Sequence, residues 1–234
     1  MRPETPAAAG HLVRVSDGTR TRGRLDHNQE LYQLSYAHRA ALNLAVAGRG
    51  ASPCDHPSMS FELGDPVPAF TLDDTAGTAH AVPADPAPPA TVLIVTCNHC
   101  PYVIAWNPRL RAAAEDYAAR DVRFLAINAN DAERYPADSP AAMKRFVEDQ
   151  GWPIPYLHDE TQEVARALGA QVTPHVFVLD SGQRLRYRGA PDAGHDDPSQ
   201  KARYLRDALD AILAGDEPAT ADTRARGCSV KWKG

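Results

Sequence analysis

The stretch Ala90–Pro101, which reads ATVLIVTCNHCP, carries an apolar run directly into a pair of cysteines separated by two residues. An unbroken aliphatic run as short as Val92 to Val95 predicts a strand that is buried on both faces of an α/β sheet. The apolar residues that follow recur at spacings of three and four, which predicts a helix packed back on that sheet. They are Val103, Trp106, Leu110, Ala114 and Tyr117. The two cysteines are therefore expected where a central strand meets a helix.

A cysteine at the start of a helix is a better nucleophile than an ordinary thiol. The free N–H groups and the helix dipole at that end favour the thiolate and lower the pKa of the thiol. Cys97 is therefore predicted to attack a disulfide, and Cys100, one turn further on, to displace the mixed disulfide. Asn98 and His99 lie between the two sulfurs and are predicted to tune the thiol pKa and the reduction potential, His99 by its charge when protonated.

The composition favours one globular domain and excludes several kinds of partner. The chain has 234 residues, of which 43% are hydrophobic, and a net charge of −5; this is enough for one good-sized domain with appendages. The predicted folded region contains no basic cluster, so neither nucleic acid nor an anionic membrane is expected as a partner. No apolar run reaches the roughly 18 residues of a membrane span, and the first residues lack the apolar core of a signal peptide. We therefore expect a cytoplasmic protein, in which a CxxC pair indicates redox or metal chemistry.

Residues 1–58 differ from the rest of the chain and are predicted to be a disordered arm or a spurious extension. They contain seven Arg and no Lys and show little apolar periodicity. The segments Glu30–Tyr36 and Gly18–Arg22 can be back-translated into codons that resemble the antisense strand of the D and T arms of one tRNA gene. We therefore expect the native chain to begin at Met59, which would make Cys54 and His56 accidental.

The remaining sequence predicts a mixed sheet with helices on both faces in a domain spanning residues 59–214, followed by a polar tail at residues 215–234. Pro108 is expected to kink or locally interrupt the helix after the cysteines. The other predicted elements are an edge strand or hairpin at Phe61–Asp73, a buried strand at Val122–Asn128, helices at Ser139–Gly151 and Thr161–Leu168, a hairpin joining Val176–Leu179 to Leu185–Tyr187, and a closing helix at Ser199–Ala214. Polar residues after the second buried strand are predicted to shape the pocket, because α/β proteins place ligands there; they are Asn128, Asn130 and Asp131.

This order of elements resembles the thioredoxin fold over Phe61–Ala214. The added segment Tyr135–Trp152 resembles the insertion, between a strand and a helix, of the peroxiredoxin and TlpA/ResA-like branch of that superfamily. Five segments are similar to a peroxiredoxin-like, AhpC/TSA-type family of bacterial thioredoxin-domain proteins: CNHCPY, INANDAERYPADSP, LHDETQEVA, TPHVFVLD and GCSVKWK. The resemblance implies a cis peptide bond before Pro174, facing the cysteines, with Thr173 and Pro174 binding the substrate by strand pairing.

The sequence also departs from the patterns typical of peroxiredoxins and of thioredoxins. Peroxidatic cysteines follow the pattern Pro-x-x-x-Thr/Ser-x-x-Cys, whereas Ala90 and Ile94 stand at the matching positions before Cys97, which argues against a peroxide-binding pocket. Typical thioredoxins carry an acidic residue six positions before the first cysteine, where this chain has Thr91. No buried carboxylate is therefore expected beside the strand.

These features predict a thiol–disulfide oxidoreductase that cycles between a Cys97/Cys100 dithiol and the disulfide, with no cofactor. Its expected partners are a protein or small-molecule disulfide or thiol and a reducing partner. The alternatives are a thiol-dependent peroxidase with antioxidant activity and a metal-binding or redox-sensing module. Metal binding is disfavoured because no second CxxC supplies the remaining ligands. Cys228 is either a plain free thiol or a third redox cysteine that resolves Cys97 or Cys100 from a mobile tail.

Overall fold

The computed structural model describes residues 61–197, 199 and 203–234. The predictions for residues 1–58 and for a start at Met59 lie outside these residues. The elements in chain order are β1 Phe70–Asp73, β2 Ala79–Val82, β3 Ala90–Thr96, α1 Pro101–Ala118, β4 Arg123–Asn128, a 3₁₀ turn at Pro136–Asp138, α2 Pro140–Gln150, β5 Tyr156–His158, α3 Glu163–Ala167, β6 Val172–Thr173, β7 His175–Asp180, β8 Leu185–Gly189, α4 Tyr204–Ala214 and β9 Cys228–Ser229.

A five-stranded mixed sheet forms the centre of this part of the chain, in the order β5-β4-β3-β7-β8. β3 pairs in parallel with β4 and antiparallel with β7, and β4 pairs in parallel with β5. All seven residues of β3 are buried, as expected for a central strand covered on both faces. The predicted central mixed sheet is therefore confirmed.

Alternate side chains of the sheet belong to two apolar cores. Val92 and Ile94 face one core together with residues of α1, α2 and α4. Leu93 and Val95 face the other core, which α3, the β1–β2 hairpin and Val230 cover. The period of two along a strand sends neighbouring residues to opposite faces. Helices accordingly lie on both faces, as predicted. None of the helices in the described residues is long and apolar enough to cross a membrane.

Several predicted boundaries were wrong. The edge strand or hairpin predicted at Phe61–Asp73 is a hairpin, but its second strand, β2, lies beyond Asp73, and the two strands form a sheet of their own. α1 continues through Pro108 without interruption. α3 is shorter than predicted because Gln162 has a φ of 64°, a left-handed conformation that an α-helix excludes. α4 begins at Tyr204 rather than Ser199.

The end of the segment at residues 215–234, predicted to be a polar tail, packs on the domain. Val230 is only 4% exposed, and the Arg166 guanidinium lies 4.3 Å from the centre of the Trp232 ring. Gln162 donates to the Lys231 carbonyl oxygen and accepts from the Lys233 N–H. The last residues are thus held by apolar burial, a cation–π contact and backbone hydrogen bonds.

The buried ring of His175 makes the stability of the fold depend on pH. Its ring centre lies 4.4 Å from that of Phe177, and the two rings are tilted by 39°. Burial, and secondarily the charge of Arg188, lowers the pKa of His175 from 6.5 to about 4. Between these values the unfolded chain binds a proton that the folded chain does not, so stability is fully present above about pH 6.5 and declines toward pH 4.

We expect the variant His175→Phe to lose this dependence. Between about pH 7 and pH 4, the free energy of unfolding of the wild type should fall by about 3 kcal/mol more than that of the variant. Urea unfolding in the presence of a reductant measures this difference. His195→Gln removes a histidine side chain that is 33% exposed and is the matched control. Equal declines in wild type and His175→Phe would contradict the assignment.

Candidate active site

The two cysteines of the CNHC motif lie at the predicted junction of strand and helix. Cys97 directly follows β3, and Cys100 is the N-cap residue of α1, with Pro101 at the first helical position. Proline suits that position because its missing N–H would have no helical partner. Both cysteines are free thiols, and they are buried, with exposed fractions of 3% for Cys97 and 0% for Cys100.

Thr173 contacts both sulfurs. Its Oγ1 lies 3.3 Å from the Cys97 Sγ, and its carbonyl oxygen accepts a hydrogen bond from the Cys100 Sγ at 3.1 Å. The Thr173–Pro174 peptide bond is cis, as the resemblance implied. β6 and the start of β7 therefore bring Thr173, from a distant part of the sequence, onto the CxxC pair.

The two thiols control one another's ionisation. Chiefly because the Cys97 thiol is hydrogen-bonded to the Cys100 sulfur, the pKa of Cys100 is lowered to about 4 and that of Cys97 is raised. Burial opposes ionisation at both positions. Because the shared proton can reside on either sulfur, the low first pKa and the high second pKa belong to the pair. One thiolate thus forms readily, and the second proton is retained.

A carboxylate that sequence reasoning missed lies beside the cysteines. Asp138 has an exposed fraction of 0% and comes from the 3₁₀ turn of the insertion. Its Oδ1 accepts the Asn98 backbone N–H at 2.7 Å, and its Oδ2 accepts the Asn130 side-chain amide at 2.7 Å. The insertion therefore supplies the buried carboxylate that was not expected near the strand.

His99 lies over the same carboxylate. Its Nδ1 is 2.8 Å from the Asp138 Oδ2, although the N–H is not aligned with the oxygen as a hydrogen bond requires. The contact becomes an ion pair when His99 is protonated. The ring also stacks on Tyr135 with 5.9 Å between the ring centres. His99 is thus held against the insertion, where its charge can act on the nearby thiol pair.

Asn98 is fixed by its side chain as well as its backbone. Its Oδ1 accepts from the Tyr156 hydroxyl at 2.9 Å, and its Nδ2 donates to the Ala137 carbonyl oxygen at 2.8 Å. Burial, and secondarily the negative charges of Cys97 and Asp138, raises the pKa of Tyr156 well above 10. Tyr156 therefore remains a neutral donor that orients the loop between the cysteines.

The edge of β6, which was predicted to receive the substrate, is occupied by the chain itself. β9 pairs antiparallel with β6, with Val172 opposite Ser229 and Thr173 opposite Cys228. The pairing arises because Cys228, Val230 and Trp232 alternate toward the domain as strand residues do. This alternation in CSVKW is the signal from which sequence reasoning could have predicted the strand.

Three potential metal-ligating atoms come together at the site. One ligand atom each of Cys97, His99 and Asp138 lies within 4.8 Å of the others. Both carboxylate oxygens of Asp138, however, already accept hydrogen bonds from the N–H groups of Asn98 and Asn130. A cation bound there would face these donors. Asp138 is therefore better suited to accept hydrogen bonds than to bind a metal ion, and we assign no metal to these residues.

The polar residues predicted to shape the pocket connect the site to the C-terminal segment. Asn130 donates to Asp138 and, through its Oδ1, accepts the Lys231 N–H at 2.8 Å. The Asp131 N–H donates to the Lys231 carbonyl oxygen at 2.8 Å. Asn128 donates to the Tyr156 hydroxyl at 3.2 Å. The end of β4 therefore links the carboxylate of the insertion to the strand that covers Thr173.

A dithiol at the start of a helix, facing a cis-proline on a mixed sheet, defines a thioredoxin-like protein. The Redoxin family model matches residues 62–205, and the chain belongs to this family. Membership supports a thiol-based redox function. Among curated proteins, none matches the chain.

Solved structures share this fold. An uncharacterized conserved protein from Geobacillus kaustophilus is 40% identical, with 75% of this chain and 94% of that chain covered and a TM-score of 0.70. A hypothetical protein from Sinorhizobium meliloti 1021 is 33% identical, with 74% and 96% covered and a TM-score of 0.70. A thiol:disulfide interchange protein of the thioredoxin family from Chlorobium tepidum TLS is 19% identical, with 63% and 98% covered and a TM-score of 0.50; this likeness concerns the fold alone.

Removing the charge of Asp138 should make the thiol pair ionise more easily. The Asp138 carboxylate is one of the groups that raise the pKa of Cys97, and two unit charges about 5 Å apart interact by about 3 kcal/mol at an effective dielectric constant of about 20. In Asp138→Asn we expect the first apparent pKa of the thiol pair to fall by about 1 to 2 units. Thiolate absorbance followed against pH measures it.

The control for this variant is Glu133→Gln, which removes a negative charge from an exposed position two residues before the insertion. Solvent screens that charge, so the thiol pKa should not move measurably. An unchanged or higher pKa in Asp138→Asn would show that the carboxylate does not act on the thiols.

Proposed function

We propose that this chain is a thiol–disulfide oxidoreductase that cycles between a Cys97/Cys100 dithiol and the corresponding disulfide. The proposal rests on the contact of both sulfurs with Thr173. Cys97 and Cys100 also pack in one small cluster, and a disulfide requires two cysteines held near one another. Their shared ionisation supplies the thiolate that disulfide exchange requires.

Cys97 is the attacking residue. It keeps a small exposed fraction, whereas Cys100 has none, and the thiolate of the coupled pair can reside on either sulfur. The Cys97 thiolate attacks one sulfur of a partner disulfide, and the other partner sulfur leaves as a thiolate that takes up a proton. Cys100 then loses its proton and attacks the Cys97 sulfur, releasing the second partner sulfur. The partner gains two electrons and two protons, and the Cys97–Cys100 disulfide remains for an external thiol reductant to reduce.

The groups around the thiols support this sequence. The Thr173 hydroxyl lowers the pKa of Cys97 by hydrogen bonding, and Thr173 with Pro174 forms the edge to which a partner chain would pair. β9 must leave that edge before a partner can bind. We place the reaction in the cytoplasm, where glutathione and thioredoxin systems supply reducing equivalents.

The pocket does not favour a peroxidase. Ile94 stands where peroxidatic sites carry a hydroxyl, and its side chain is 1% exposed within the apolar core. Ala90 replaces the proline of the same pattern and is fully buried. The Ile94 side chain has no hydroxyl that could donate a hydrogen bond to a peroxide beside Cys97.

Substitution of each cysteine should produce a different defect. With insulin as the disulfide substrate and dithiothreitol as the reductant, Cys97→Ser should reduce turnover to the background rate because the nucleophile is lost. Cys100→Ser should leave Cys97 able to attack but unable to release the partner. Mass spectrometry of this variant should therefore detect a covalent mixed disulfide with the substrate.

Cys54→Ser is the matched control, because it removes a cysteine outside the described residues and should retain the wild-type rate. The same preparations are tested for consumption of hydrogen peroxide. Rapid peroxide consumption without disulfide reduction would contradict the proposal and favour the peroxidase. A Cys100→Ser protein that traps no substrate would contradict the assignment of Cys97 as the attacking residue.

A further inference from the structure

The C-terminal segment Gly227–Ser229 occupies the edge of the active site as a bound peptide would. Cys228 lies opposite Thr173 in the antiparallel pairing, and the Thr173 Oγ1 donates to the Cys228 carbonyl oxygen at 3.5 Å. The backbone of Gly227 approaches so closely that a Cβ at this position would collide with the Thr173 carbonyl oxygen. A glycine is therefore required here for the approach.

This pairing places a third sulfur against the pair. Cys228 packs with the small apolar cluster of Cys97, Cys100 and Val103. Its thiol is hydrogen-bonded to the Cys100 sulfur. Among these three cysteines Cys228 is the most exposed, since the other two are buried. The site thus contains three sulfurs in a row from Cys97 through Cys100 to Cys228.

We propose that Cys228 is a third catalytic cysteine, which accepts the disulfide from the Cys97–Cys100 pair and presents it to the reductant. This inference rests on the proposed function, because the Cys97–Cys100 disulfide must form first. It assigns Cys100 as the central sulfur, which exchanges with both neighbours, and it makes the strand pairing of β9 part of the catalytic cycle.

The transfer is an internal thiol–disulfide exchange. The Cys228 thiol gives its proton to solvent, and its sulfur attacks the Cys100 sulfur. The Cys100–Cys228 bond forms while the Cys97–Cys100 bond breaks, and Cys97 leaves as a thiolate that takes up a proton. No external oxidant is consumed. An external thiol then attacks the half-buried Cys228 sulfur, which is easier to reach, and Cys100 leaves as a thiolate that takes up a proton. A second external thiol attacks the mixed disulfide on Cys228, so that the external disulfide leaves and Cys228 is restored as a thiol.

The charge state of Cys100 determines when Cys228 becomes nucleophilic. Burial raises the pKa of Cys228 to about 11, with further contributions from the hydrogen bond to Cys100 and from its negative charge. Oxidation of Cys97 and Cys100 removes both of these contributions, because a disulfide sulfur carries no charge. Lys231, which lowers the pKa of Cys228, remains. Cys228 therefore becomes more nucleophilic only after the pair has been oxidised.

Disulfide mapping in the Cys54→Ser background tests the transfer, because only the three sulfurs of the site remain. In the further variant Cys97→Ser, one equivalent of diamide should link Cys100 to Cys228. In the further variant Cys100→Ser, the same treatment should give little Cys97–Cys228 product. Alkylation in acid followed by tryptic digestion detects the link, since cleavage after Arg226 and Lys231 releases Gly227–Lys231 attached to the peptide that carries the CNHC motif.

Two variants of the C-terminal segment test whether the link requires Cys228 to lie beside Thr173 or only requires its thiol to be present. Gly227→Ala retains Cys228 but should displace it from Thr173, so the Cys100–Cys228 link should be lost. Ser229→Ala changes the exposed neighbour of Cys228 and should retain the link. Circular dichroism establishes that both variants are folded.

Kinetics distinguish this inference from the proposed function. In Cys228→Ser, the Cys97–Cys100 disulfide should still form with insulin, but its reduction by glutathione should slow by about tenfold, since the buried disulfide must be attacked directly. Absence of the Cys100–Cys228 link in Cys97→Ser, or an unchanged rate in Cys228→Ser, would overturn the role of Cys228 and leave the dithiol cycle intact. Loss of insulin reduction in the wild type would instead overturn the proposed function.

Discussion

The contact between Thr173 and the two cysteines is the interaction on which the site depends. A buried thiol is a weak hydrogen-bonding group, and Thr173 supplies a hydroxyl beside Cys97 and a carbonyl oxygen that accepts from the Cys100 thiol. The sheet makes this possible, because β3 and β7 pair antiparallel with Val95 opposite His175. The loop before β7 is thereby fixed against the end of β3.

The insertion places a buried carboxylate beside this pair. A buried carboxylate near two thiols opposes their ionisation, and it acts strongly because little water screens it. The N–H groups of Asn98 and Asn130 donate to the two carboxylate oxygens of Asp138. Asn130 also holds Lys231. The carboxylate, the cysteine loop and the C-terminal strand therefore form one hydrogen-bonded unit, in which a change at the sulfurs can reach β9.

The sequence predicted the strands and helices that are determined by the pattern of neighbouring residues. The aliphatic run before Cys97 indicated the central strand, and the spacing from Val103 to Tyr117 indicated the helix. Asp138 could not be predicted in this way, because its role depends on how an irregular connection folds back onto the Asn98 N–H. The pairing of β9 was missed because only two residues form the strand. Its alternation through Val230 and Trp232 was nevertheless present in the sequence.

The most direct test of a redox role for the Cys97/Cys100 pair is an equilibrium titration of the full chain in buffers of reduced and oxidised dithiothreitol or glutathione. Free thiols are counted after alkylation. The account predicts a single transition involving two electrons, in which two thiols are lost together at a potential within the range of about −270 to −120 mV found for CxxC proteins. A thiol count that stays constant over this range would contradict it.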